Sequence, residues 1–159
     1  MNLIFLLIAF CAGSAISIQA AVNSQLAGGI GGNVVAAALV SFSIGTVALA
    51  AIAVSKGGLH AAVVSLPSQP LWRFGGGLLG AAAIFCTVLL VPRIGLANML
   101  ALVIAGQLLS SLAIDQFGLI GAVTRQVSGI KLAGALVMLT GVCLTLFGNS
   151  LVQALTKHS

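Results

Sequence analysis

Gln107, Ser110, Ser111 and Asp115 stand at i, i+3, i+4 and i+8 within one long apolar run, residues 94–115. On a helix that spacing gathers an amide, two hydroxyls and a carboxylate on one face. Such a set can donate and accept hydrogen bonds. Asp115, the chain's single acidic residue, can also exchange a proton or counter a cation. A second set, Gln19 and Asn23, forms an i, i+4 amide pair in the first apolar run. Neither set suits covalent or hydrolytic chemistry. His60 and His158 lie in a connector and a tail, so no Ser/His/Asp arrangement and no metal-binding cluster can be assembled. These residues point to reversible recognition of a polar solute. Catalysis is not expected, and no cofactor or metal is implied.

The elements that must position these groups follow from composition. Hydrophobic residues make up 60% of the 159 and charged residues 4%, where a soluble domain carries about 25% charged. With a mean hydropathy of +1.27, the chain reads as an all-α integral membrane protein whose first partner is the lipid bilayer. The net charge of +5 does not imply nucleic acid, because the six basic residues are scattered and have no aromatic interleaving. Cys11, Cys86 and Cys143 each sit in an apolar run, an odd number with no Cys-x-x-Cys pair, and read as small buried hydrophobes.

Five spans are expected in one transmembrane domain over residues 1–159, at about 3–22, 34–54, 74–91, 94–115 and 129–151. The first run lacks an amino-terminal Lys or Arg and exceeds a signal-peptide core, so it reads as an uncleaved span. On it, Ala9, Gly13, Ser17 and Ala21 make a small-residue packing stripe, while Gln19 and Asn23 face away toward a cavity. Residues 24–33 read as a glycine-rich turn. The connector 55–71 has an apolar middle too short to span, which suits the membrane interface. Trp72 then serves as an interfacial anchor beside the snorkelling Arg73. Gly76 and Gly80 form a Gly-x-x-x-Gly packing pair, and Pro92 stops the third span. Residues 116–128 return to the surface with a short interfacial helix. Gly134, Gly141 and Gly148 recur every seven residues as a helix–helix seam, and Lys157 and His158 end the chain in water.

Lipid offers no hydrogen bonds, so the polar faces must meet other helices or a watered cavity. Five helices alone make a thin wall around any solute. Lys56, Arg73, Arg125 and Lys131 fall on the amino-terminal side and Arg93 and Lys157 on the other, a weak orientation bias. A chain so weakly marked can insert either way up. Two oppositely inserted copies then give an antiparallel homodimer of ten helices, the inverted-repeat plan of many secondary transporters. In that pair, Asp115 of one copy and Arg93 of the other share a side of the membrane and are candidates for ion coupling or for pairing. Pairing with Arg125 is the simpler role for Asp115.

Gln19–Asn23 with Gln25-Leu26, Pro70-Leu71-Trp72 before Gly75–Gly77, and Val91-Pro92-Arg93-Ile94-Gly95 form one ordered series. Gly106-Gln107-Leu108, Ser111-Leu112 and Asp115-Gln116-Phe117-Gly118 complete it. The series resembles the YdcZ-type branch of the drug/metabolite transporter superfamily over nearly the whole chain. The resemblance implies five-span proteins that pair in opposite orientations. It further implies a secondary transporter of small molecules in the bacterial cytoplasmic (inner) membrane. Gln116 departs from the histidine expected in many relatives.

The function expected is alternating-access transport of small metabolites or drugs, with Gln19, Asn23, Gln107, Ser110 and Ser111 as the substrate-binding set. A passive dual-topology channel and a subunit without transport of its own are the alternatives from other classes. A small multidrug-resistance exporter would be shorter and carry a glutamate, of which this chain has none.

Overall fold

The computed structural model describes residues 2–156, all helix, turn or irregular backbone with no strand among them. Lys157 and His158, expected as a solvated tail, lie outside the described residues. Six α-helices follow in order: α1 (Leu3–Gly29), α2 (Val34–Lys56), α3 (Leu59–Ser65), α4 (Gly75–Ile94), α5 (Leu96–Phe117) and α6 (Gly129–Thr156). All but α3 are long and apolar enough to cross a membrane, so the expected all-α, five-span class holds. By contact the chain falls into two compact units, Met1–Arg93 and Ile94–Ser159.

In the first unit, the α1–α2 hairpin sets the geometry. Asn2 caps α1, its side chain accepting from the Ile4 N–H at 3.1 Å. The expected turn over residues 24–33 is shorter than the sequence suggested, because α1 runs on to Gly29. A bilayer favours this outcome, since helix satisfies the backbone groups of 24–29 where lipid cannot. The break comes where only glycine is comfortable: Gly31 and Gly32 have φ of 76° and 79°. The Gly32 N–H returns to the Ala27 carbonyl at 2.8 Å, and the Ile30 N–H to that of Leu26 at 3.1 Å, so the last α1 carbonyls are satisfied. Asn33 then caps α2, its Oδ1 accepting from the Ala36 N–H at 2.9 Å.

Around this hairpin, Ala27 of α1, Ala37 of α2 and Val88 of α4 form the buried core, packed by Leu26, Val34 and Ile84. Alanine at two of the three positions lets the backbones approach. The buried face of α1 is Ala20, Asn23 and Ala27, not the expected stripe, since Ala9 and Gly13 are exposed. Asn23 thus lies on the packed side and not opposite to it. Gly80 is approached by the Phe42 ring, 3.9 Å from where a Cβ would stand, whereas Gly76 meets nothing.

Pro92 does not stop α4. It sits in the last turn, where it removes the bond to the Val88 carbonyl without ending the helix, which runs on to Ile94. Gly95, with φ 82°, makes the break before α5. Upstream, α3 fills the apolar middle of the connector and is followed by two single-turn 3-10 segments, Leu66–Ser68 and Leu71–Phe74.

In the second unit, α5 packs against α6, and Met99, Ala105 and Ala135 are buried. The short helix expected over 116–128 reduces to one 3-10 turn, Leu119–Gly121. Two glycines and a positive φ of 58° at Ile120 leave no room for helix. The Gly134–Gly141–Gly148 seam is not formed within the chain, since a Cβ at any of the three would meet nothing within 4 Å. Cys11, Cys86 and Cys143 are exposed on the chain and not buried as expected, because spanning helices show lipid their apolar side chains.

Candidate functional site

A polar side chain in a spanning helix must find a partner on its own helix or elsewhere. Many do so locally. The hydroxyls of Ser14, Ser17, Thr87, Thr140 and Thr145 donate to carbonyls four residues back. Asn98 donates to the Ile94 carbonyl at 2.9 Å, and Ser111 to that of Leu108 at 2.9 Å. Their donors are satisfied within the helix, while a hydroxyl such as that of Ser111 can still accept a bond. The ones left over are the informative ones.

Asn23 is the clearest. The residue is 5% exposed, and its side chain makes no hydrogen bond among the described residues. It lines a cleft of about 440 Å³ between α1 and α2, together with Gln19 and Ser41. Ile18, Val22 and Ile44 supply apolar wall. At about 100° per residue, Gln19 lies roughly 40° from Asn23 on one side and Ala27 a similar angle on the other. Asn23 therefore sits where the packed seam opens into the cleft, with Gln19 further out. Neither Gln19 nor Ser41 has a hydrogen-bond partner among the described residues. No ionisable side chain lines the cleft.

On α5, Gln107, Ser110 and Ser111 are exposed and Asp115 is half-buried. The regular helix keeps all four within an arc of about 140°. Gln107 and Ser110 have no side-chain partner, and the Asp115 carboxylate forms no ion pair among the described residues. The expected Asp115–Arg125 pairing is made by backbone instead. The Arg125 N–H donates to the Asp115 carbonyl at 2.7 Å, satisfying a carbonyl in the last turn of α5. Next door, Gln116 Oε1 accepts from the Val127 N–H at 2.8 Å. Gly118 ends the helix at φ 59°, and a Cβ there would stand 2.5 Å from Thr124 Oγ1. The return segment is thus folded back on the end of α5 and held there. Leu112, Gln116, Phe117, Val127 and Leu132 border a cavity of about 310 Å³ at this corner.

A family profile described as "Putative inner membrane exporter, YdcZ" matches residues 4–144. The chain belongs to the YdcZ family. The match takes in α1 through α5 and the first half of α6, and with them both polar sets. No curated protein and no solved structure matches the chain. As a member of the YdcZ family with five apolar spanning helices, it is a multi-pass transport protein of the cytoplasmic membrane.

The remaining sequence-predicted residues sit apart. Trp72 is 57% exposed, with the Arg73 guanidinium 5.5 Å from its ring centroid, a cation–π geometry. Arg73 also donates to Gln69 Oε1. The Arg93 guanidinium donates to the Leu89 carbonyl at 3.1 Å, at the end of α4. Among the described residues no three His, Cys, Asp or Glu side chains come together as a metal-binding group. The roles of two residues were not evident from the sequence. Ser41 faces the Gln19–Asn23 pair across the hairpin, and Gln116 ties down the α5–α6 connector. Ser41 had no spacing signal to set it apart from Ser43 and Thr46 on the same helix; its place depends on hairpin register.

Proposed function

We propose that this YdcZ-family chain is a secondary transporter that moves small metabolites or drugs across the cytoplasmic membrane by alternating access. It works as an antiparallel homodimer of ten helices. The observation that carries the reading is the α1–α2 cleft: a recessed amide, without a protein partner among the described residues, opening on a cleft of ligand size in a spanning helix. A bilayer tolerates such a group only where a solute, water or another helix meets it in turn. Gln19 and Asn23 are the recognition groups of the first unit. Gln107, Ser110 and Ser111 are those of the second, and Asp115, at the end of the same stripe, is the candidate for ion coupling. Arg93 is its candidate partner across the antiparallel pair.

The test is counterflow. Purified protein in liposomes loaded with unlabelled metabolites should accumulate the matching labelled metabolite transiently, with saturable kinetics. Flux that rises linearly with concentration and shows no exchange would mark a passive channel and end the carrier reading. Replacing Asp115 by Asn should abolish the dependence of flux on an imposed proton gradient. Unchanged dependence would remove Asp115 from coupling.

A further inference from the structure

The α1–α2 cleft carries more than a location. Its polar groups are two amides and a hydroxyl, and none of its lining residues can carry charge. Amides donate and accept together, so they match a solute that does the same, such as a carboxamide, lactam or alcohol. A carboxylate or ammonium entering the cleft would leave its water and meet no counter-charge, a cost that neutral dipoles only partly offset. The rest of the surface is aliphatic, from Ile18, Val22 and Ile44. The volume of about 440 Å³ lies within the range of small-molecule sites. Asn23 marks where the solute's polar end would lie, since it is nine-tenths buried and has no protein partner among the described residues. Ser41, from the opposite helix, supplies the second contact.

We infer that this cleft binds uncharged amphipathic molecules, with a hydrogen-bonding head against Asn23, Gln19 and Ser41 and an apolar body along α1 and α2. The inference rests on the transporter reading for its purpose, but the binding site stands or falls by itself. The proof uses the full chain in lipid nanodiscs at neutral pH and three probes of similar shape: phenylacetamide, phenylacetate and phenethylammonium. Equilibrium dialysis, corrected with empty nanodiscs, measures their binding. Phenylacetamide should bind saturably and at least about tenfold more tightly than either ion. Asn23→Leu, which keeps the branched shape and removes the hydrogen bonds, should weaken it about five- to tenfold. Ser41→Ala, a milder change that leaves the core untouched, should weaken it by a smaller factor in the same direction. Equal binding of amide and ions, or an Asn23→Leu protein that folds and binds the amide as wild type does, would overturn the inference. Flux separates this site from the transport reading. Saturable amide binding without any counterflow keeps the site and removes the carrier. Counterflow of the ions that Asn23→Leu leaves unchanged keeps the carrier and removes the site.

Discussion

Asn23 owes its position to its neighbours. Ala27 packs with Ala37 of α2 on one side, and the small buried Ala20 and Ala27 leave the amide recessed but open to the cleft on the other. In a purely structural role it would bond a carbonyl across the seam, and no such bond is present among the described residues. Asn23→Leu should therefore leave the melting temperature in detergent within a few degrees of wild type, because the amide opens on the cleft and spends no hydrogen bond on the fold. A large fall would show that the amide has a structural partner. Two backbone positions in the second unit make opposite tests. Gly118→Ala combines φ 59° with a contact of 2.5 Å to Thr124 Oγ1 and should cost at least about 1–2 kcal/mol by chemical unfolding. Ile120 holds a φ of 58°, costly for a β-branched residue, so Ile120→Gly should stabilise by about 1 kcal/mol or be neutral. A clear loss there would mean that the exposed Ile120 side chain is held by something outside the chain.

Among the elements, the helices were legible and their ends were not. Five runs of apolar residues admit one reading in lipid, where helix alone satisfies the backbone. The end of α1 was misplaced because Gly28 and Gly29 look like a turn, yet the left-handed residues are the next pair, Gly31 and Gly32. No charge near the turn marks the water boundary. The Gln19–Asn23 pair was visible from its spacing, but which face of α1 packs was not, because the helix is apolar all round and lacks a periodic signal. The glycine repeat of α6 shows the same limit. Spacing announces a close approach without saying whether the partner lies in the same chain. The α5–α6 connector tests an element that the sequence concealed. Gln116→Leu removes the acceptor of the Val127 N–H, so hydrogen exchange across residues 122–128 should speed up about tenfold while α5 stays protected. Unchanged exchange would show that the Arg125–Asp115 backbone bond alone holds the segment.

For the whole molecule, the question is what the polar faces meet. Much of each spanning helix is exposed on the single chain, as lipid or a second copy would require. The proposed antiparallel pair predicts that a cysteine at position 60, in α3, is labelled from both sides of the membrane in comparable amounts. One-sided labelling would fix a single orientation and remove the dimer. The account's central claim is simpler: the polar face of the α1–α2 cleft sees water inside the membrane. Thiol reagents test it, because they react with a hydrated thiolate and hardly with a thiol in oil. With Cys11, Cys86 and Cys143 replaced by Ala, Gln19→Cys and Ser41→Cys should react with a membrane-impermeant methanethiosulfonate in intact membranes. Phe10→Cys, at a position 74% exposed within an apolar run, serves as the lipid-facing control and should not react. Reaction at 19 and 41 within about tenfold of a connector cysteine is the expected result. Silence at both, matching position 10, would contradict it.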